Sequence, residues 1–154
     1  MGYWLLKTEP ATFGIDHLAA LPRRTTGWDG VRNYQARNYL RDGVRRGDFA
    51  FLYHSSCAVP GIAGTVRVMR AAYPDASAFD PKGDHYDPQS DAAAPRWFAI
   101  DVQLHSRLPR LITLDELRAH ARGKLRGLAL LQRGSRLSVM PVSAAHWRFV
   151  LSLE

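Results

Sequence analysis

Apolar positions recur along this chain with two different periods, and the changes of period mark its elements. Tyr3, Leu5 and Lys7 alternate with Trp4 and Leu6, which predicts a strand over Tyr3–Lys7 that ends at Thr8-Glu9-Pro10. Ile15, Leu18, Ala19 and Leu21 then follow helical spacing until Pro22 stops them. Arg23 to Gly27 reads as a polar loop and Trp28-Asp29-Gly30 as a turn. Tyr34 to Asp42 is expected to be a helix closed by Gly43 at its C′ position, with Tyr34, Arg37, Asn38 and Arg41 sharing one face.

Period two returns at Phe49–Ser55, where Phe49, Phe51 and Tyr53 point one way and Ala50, Leu52 and His54 the other. Pro60-Gly61 turns the chain into a second strand, Ile62–Arg70, making a hairpin-like pair. Tyr73 to Pro95 has no sustained period and is expected to be a long irregular excursion. Trp97–Leu104 resumes a strand. Thr113-x-x-Glu116 is a capping box ahead of a short helix, and an apolar cluster spans Leu125 to Leu131. A short strand is expected over Arg136–Met140, and Ser143 caps a last helix that buries Trp147, Val150 and Leu151. Strands separated by hairpin-length gaps and mixed with helices predict one α+β domain over residues 1–154, built on a small curved sheet or barrel.

Composition narrows the class. The longest unbroken apolar run, Phe49 to Tyr53, is far short of the roughly 20 residues that cross a bilayer, and Lys7 and Glu9 interrupt the N-terminus. No membrane span and no signal peptide are expected, and the lone Cys57 offers no internal disulfide. A cytoplasmic protein is the expectation. The net charge is +7, and 18 of the 21 basic residues are Arg, whose planar fork suits phosphate. That charge is patchy: residues 21–48 and 105–148 are basic, while residues 73–101 carry six Asp against Lys82 and Arg96. Such a distribution fits a nucleic-acid face.

Catalytic signatures are absent. There is no nucleophile elbow and no phosphate-binding loop, His85-x-Asp87 lacks a second ligand pair for a metal, and His54-Ser55-Ser56-Cys57 sets its groups on alternating faces. No metal and no organic cofactor are expected. Trp28, in a polar setting, is open to both a stacking and a packing role, whereas Trp4 and Trp147 follow the core periodicity.

Several stretches together resemble one family. They are Tyr3-Trp4-Leu5-Leu6-Lys7-Thr8-Glu9-Pro10, the run from Trp28 to Asn38, Tyr53-His54-Ser55 followed by Pro60-Gly61-Ile62, Tyr73-Pro74-Asp75, Pro95-Arg96-Trp97, and Arg136-Leu137-Ser138-Val139. In this order, over essentially the whole chain, they resemble the EVE domain family. That family belongs to the PUA-like group of small pseudo-barrels flanked by helices and is related to the YTH readers of methylated adenine. The resemblance implies a module that binds DNA or RNA and accepts a modified base in a pocket. Carried over residue by residue, it implies a wall from Lys7 and Thr8, with Thr8 standing where the family has Ser, a stacking surface from Trp28, and a base-edge contact from Asn33. Arg37 and Asn38 would sit at the rim, His54 and Ser55 opposite with Tyr53 beneath, and Arg136 and Ser138 would close the site. A nuclease or base-modifying hydrolase using His54 or Lys7, and a binder of a free nucleoside-like molecule, are the alternatives.

Overall fold

Alternation along β1 (Tyr3–Thr8) divides the interior of the protein in two. Trp4 and Leu6 join Leu18, Leu40, Val66 and Val102 in one apolar cluster. Leu5 joins Phe51, Ile62, Met140 and Trp147 in another. The computed structural model describes all 154 residues. Five further strands, β2 (Thr25–Trp28), β3 (Phe49–His54), β4 (Gly61–Pro74), β5 (Phe98–Thr113) and β6 (Val139–Val142), join β1 in one sheet of order β2-β5-β4-β3-β1-β6. β1 and β3 run parallel and every other neighbouring pair is antiparallel.

A sheet that is apolar on both faces must be covered on both. The chain between β1 and β3 supplies α1 (Ile15–Ala20) and α2 (Tyr34–Asn38), which bury Ile15, Leu18 and Ala36 on one face, with Leu40 from the turn that follows α2. The chain after β5 supplies α3 (Leu114–Arg118) and α4 (Ala144–Leu151), which bury Leu117, Trp147 and Val150 on the other. Trp147 stacks on Phe51 with ring centroids 4.0 Å apart and on Tyr3 at 4.7 Å. At the start of β3 the buried Asp48 accepts from the Trp4 indole and from the amides of Gly2 and Arg45, each at 2.9 Å. Those bonds satisfy a carboxylate that would be costly to bury alone.

The architecture is the expected α+β fold, with local departures. Arg23–Gly27 is not a plain loop: Pro22–Arg24 is a single 3-10 turn and the next residues form β2, because β5 offers Thr25–Trp28 an antiparallel partner. The second helix is α-helical only to Asn38 and widens to a π-helical turn over Tyr39–Gly43. Gly43 is not a left-handed cap. A Cβ there would lie 2.7 Å from Trp4 Cη2, so the glycine makes room for the indole. Thr113 caps α3 from Glu116 N at 3.2 Å, but Glu116 turns away to hold Arg110 at 2.6 and 2.8 Å, so only half of the capping box forms. β4 and β5 run much longer than their expected strands, with register shifts that break the alternation. The last strand starts at Val139 and contains Pro141, which a sheet edge tolerates.

The irregular stretch after β4 folds back rather than dangling. Asp75, whose side chain is fully buried, accepts from Gly30 N, Arg32 and Ser77. Trp97 lies under this segment and donates its indole N–H to Asp87 at 2.7 Å. Tyr34 stacks on Trp97 at 4.9 Å, Arg37 sits over Tyr34 at 5.0 Å, and Arg32 sits over Trp97 at 5.4 Å. The polar stripe expected on α2 is thus a clamp on that segment, worth about 0.5–1 kcal/mol for each exposed cation–π contact.

Candidate functional site

The sheet curls. Its edge strands β2 and β6 would stand about 24 Å apart if it were flat, from five spacings of about 4.8 Å. Both edges nevertheless contribute to one cleft of about 800 Å3, which receives Thr26–Trp28 from β2 and Arg136–Ser138 from the approach to β6. The third contributor is the end of β1 with the turn that follows, from Lys7 to Phe13. Ser55 and Ser56 after β3, and His85 from the acidic excursion, complete the rim.

Backbone hydrogen bonds fix the end of β1 on both sides. Lys7 N donates to Ser138 O at 2.9 Å and Ser55 N donates to Thr8 O at 2.8 Å. Glu9 O accepts from Thr12 N and Phe13 N, which folds the turn back over the strand. Thr8 Oγ1 donates to Phe13 O at 2.7 Å. That hydroxyl has committed its proton, so toward the cleft it can only accept. Phe13 meets Trp28 edge to face at 6.3 Å and 81°, giving the cleft an aromatic wall. Trp28 is at once part of the core and part of the cleft lining, so packing and lining are not alternatives for it.

Lys7 carries the distinctive electrostatics. Partial burial holds its ammonium below the usual lysine range, it forms no salt bridge, and its Nζ lies 5.9 Å from the centroid of Tyr53. A desolvated cation without a carboxylate partner in a cleft is a group that favours an anionic ligand. Glu9 and Asp29 are exposed on the same lining, so the cleft also offers hydrogen-bond acceptors.

The residues singled out in the sequence divide into two sets. Lys7, Thr8, Trp28, Ser55, Arg136 and Ser138 converge on the cleft. Asn33, Arg37, Asn38, Tyr53 and His54 are not among its lining residues. Asn33 caps α2 by accepting from Ala36 N at 3.0 Å. Arg37 donates to Asn38 Oδ1 and to Arg96 O, beside the Tyr34 clamp. Tyr53 is buried in the second apolar cluster, next to the Lys7 side chain. His54 Nε2 accepts from Ile15 N at 3.2 Å, and burial, opposed by the nearby Asp16, lowers the imidazole pKa. An imidazole nitrogen engaged at a helix start is not a free general base, which removes the geometric support for a His54-based hydrolase.

Sequence reasoning missed Glu9, Thr12 and Phe13, although the Pro10 break marked the turn that brings them in. It also missed the place of His85 at the rim, a residue the sequence offered only as half of a metal-ligand pair with Asp87. Gly30 adopts φ +77°, and a Cβ on it would fall 2.7 Å from the His85 ring, so this glycine is what lets the imidazole reach the rim. No cluster of three or more His, Cys, Asp or Glu side chains suits a metal ion.

Comparison with known proteins bears on the whole chain. The model of the EVE domain family matches residues 2–153. Thymocyte nuclear protein 1 of Danio rerio is 46% identical over 98% of this chain and 71% of its own length. A crystal structure of a Pseudomonas putida protein is 47% identical, covers 98% of both chains and has a TM-score of 0.92. Human THYN1, solved in complex with 5-methylcytosine-containing DNA, is 42% identical with a TM-score of 0.95 over 99% of this chain and 97% of that one. With the family model matched over residues 2–153 and relatives alike in sequence and fold over nearly the full chain, the chain belongs to the EVE domain family.

Proposed function

We propose that this protein is a nucleic-acid reader that takes a modified cytosine, of the 5-methylcytosine type, into the cleft at the end of β1. The observation that carries this reading is the human relative, which was solved with 5-methylcytosine-containing DNA and shares the fold over nearly the full chain. The cleft supports it. A volume of about 800 Å3 lies within the roughly 300–1,000 Å3 of small-ligand sites. Trp28 and Phe13 supply the flat apolar wall that a nucleobase needs, and Ser55, Ser138 and the accepting oxygen of Thr8 supply fixed polar groups for its edge. Lys7 and Arg136 supply cations for the flanking phosphate. In this reading Asn33, Arg37, Asn38, Tyr53 and His54 act from behind, by fixing α2, the acidic excursion and the turn before α1. No metal or organic cofactor takes part. No helix is long and apolar enough to cross a membrane, and the vertebrate relatives are named nuclear proteins, which points away from the cytoplasm as the working compartment.

The test is an affinity series at fixed salt with oligonucleotides that differ only in one base: cytosine, 5-methylcytosine or thymine, in DNA and in RNA. The 5-methylcytosine DNA binds most tightly. Equal affinity across the series overturns base recognition, and cleavage or base alteration of the bound strand overturns a purely binding role. A free nucleoside binding as tightly as the oligonucleotide, with little salt dependence, points to the small-molecule alternative.

A further inference from the structure

One excursion of the chain begins and ends at the sheet end that carries the cleft. Thr8 pairs with His54, His54 with Gly61 and Gly61 with Thr113, so all four lie in one row across the sheet. The chain leaves that row at Thr113, where Leu114 N donates to Pro60 O at 2.9 Å, and returns at Ser138, whose carbonyl accepts from Lys7. Between Glu116 and Glu154 the sequence contains no Asp or Glu. The segment 114–138 does contain Arg118, Arg122, Lys124, Arg126, Arg133 and Arg136.

Its apolar residues Leu117, Leu125, Leu128 and Leu130 are buried in the core under the sheet, and all six cations are exposed. None of the six forms a salt bridge. The opposite rim of the cleft differs: His85 comes from a stretch that also carries Asp84 and Asp87. Beside His85, Asp87 is paired with Arg96 at 3.6 Å, so the mouth is basic on one side and of mixed, internally paired charge on the other.

We infer that the nucleic-acid strand leaves the cleft over the 114–138 excursion, with its phosphates against this cation row, and turns away from the His85 rim. The inference rests on the proposed base reading and adds the path and direction of the strand. Unpaired, hydrated arginines that release counterions on contact with phosphate are what such a path requires. The His85 rim, where Asp87 and Arg96 already pair and the exposed Asp84 adds a negative charge, offers phosphates no such row of free cations.

Salt titrations of a single-stranded oligonucleotide carrying 5-methylcytosine test the path. In the full chain, Arg122→Gln with Arg133→Gln lowers the slope of log affinity against log salt by about 0.7 for each phosphate that is no longer neutralised. The ratio of affinities for 5-methylcytosine and cytosine oligonucleotides stays unchanged. Arg45→Gln with Arg46→Gln, just ahead of β3 and so at its far end from the cleft, leaves the slope as it was. Oligonucleotides with the modified base at one terminus add a second reading, since extension on only one of the two sides raises affinity. Unchanged slope in the 122/133 variant, an equal fall in the 45/46 control, or equal gains from both extensions overturn the path. If wild type binds with base preference while those slopes do not move, the path alone fails. If wild type shows no base preference yet the 122/133 slope falls, the base reading fails and the phosphate path stands.

Discussion

Two segments of this molecule carry most of its charge asymmetry, and they use charge in opposite ways. In the acidic stretch from Asp75 to Trp97, Asp75, Asp80, Asp87 and Asp91 each accept a backbone or side-chain hydrogen bond from within the fold. In the basic stretch from Arg118 to Arg136, no cation has an anionic partner. The aspartates are internal ligands that hold an irregular segment in place, whereas the basic groups are left to solvent or to a partner. Composition alone makes the two stretches look like mirror images. Knowing which charges are already engaged separates structure from recognition.

The sharpest way to break that comparison is Asp75→Ala. The substitution leaves Arg32, Gly30 N and Ser77 without the carboxylate that joins them, and breaking a buried pair of this kind costs about 3–5 kcal/mol. At about 2–4 °C per kcal/mol for a chain of this size, the melting temperature falls by roughly 10 °C. A loss below about 1 kcal/mol would show that the acidic segment is not held by its aspartates. Next comes Trp97→Phe, which keeps an aromatic ring for Tyr34 but removes the N–H donated to Asp87. We expect a loss of about 2 kcal/mol, read as a lower denaturant midpoint with unchanged slope.

Acid titration gives a smaller effect whose sign follows from the pKa shifts. Burial alone would raise the Asp75 pKa, but hydrogen bonds from Ser77, Arg32 and Gly30 outweigh it and hold the carboxyl below the usual range. Its contribution is present above the ordinary carboxylate pKa of about 4 and is lost as pH falls through the lower folded value. His54 also has a lowered folded pKa, so its contribution is full above about 6.5 and declines as pH drops below that. Unfolding measured against pH therefore shows stability falling below about pH 6.5, and His54→Gln flattens that first decline. The smallest effect belongs to the basic side: Arg122→Gln with Lys124→Gln changes stability by no more than about 0.5 kcal/mol, because neither side chain is engaged. A larger change would mean that this stretch, too, is structural.

Most of the fold was legible because its central strands are apolar on both sides and alternate cleanly. β1, the β3–β4 hairpin and α4 fall where their periodicity puts them. β2 was not legible, since its strand formers Thr25, Thr26 and Trp28 span only four residues interrupted by Gly27, and the segment becomes a strand because an edge of β5 is free to pair. The site was legible in part. Lys7, Thr8 and Ser55 are strand-end residues that the curl of the sheet brings together, while Tyr53 is taken up by the core and His54 by the start of α1. Asn33 is taken by the local cap of α2 and Asn38 by its neighbour Arg37, while Arg37 is drawn to Arg96 O by a bond across the chain that spacing cannot reveal. His85 reaches the rim through a long-range packing event over Gly30, which is equally silent in the sequence.

The position of β1 governs when the molecule becomes functional during its own folding. The first strand of the chain lies inside the sheet between β3 and β6, so it is completed only by the last strand to appear. The bond from Lys7 to Ser138 joins residues at nearly opposite ends of the sequence. Contacts of such separation form late and slow the search, because loop-closure entropy precedes the reward. A nascent chain lacking β6 would present β1 as an open edge, the surface through which sheets aggregate. Until Arg136–Ser138 is in place, the cleft lacks the wall that it draws from the approach to β6.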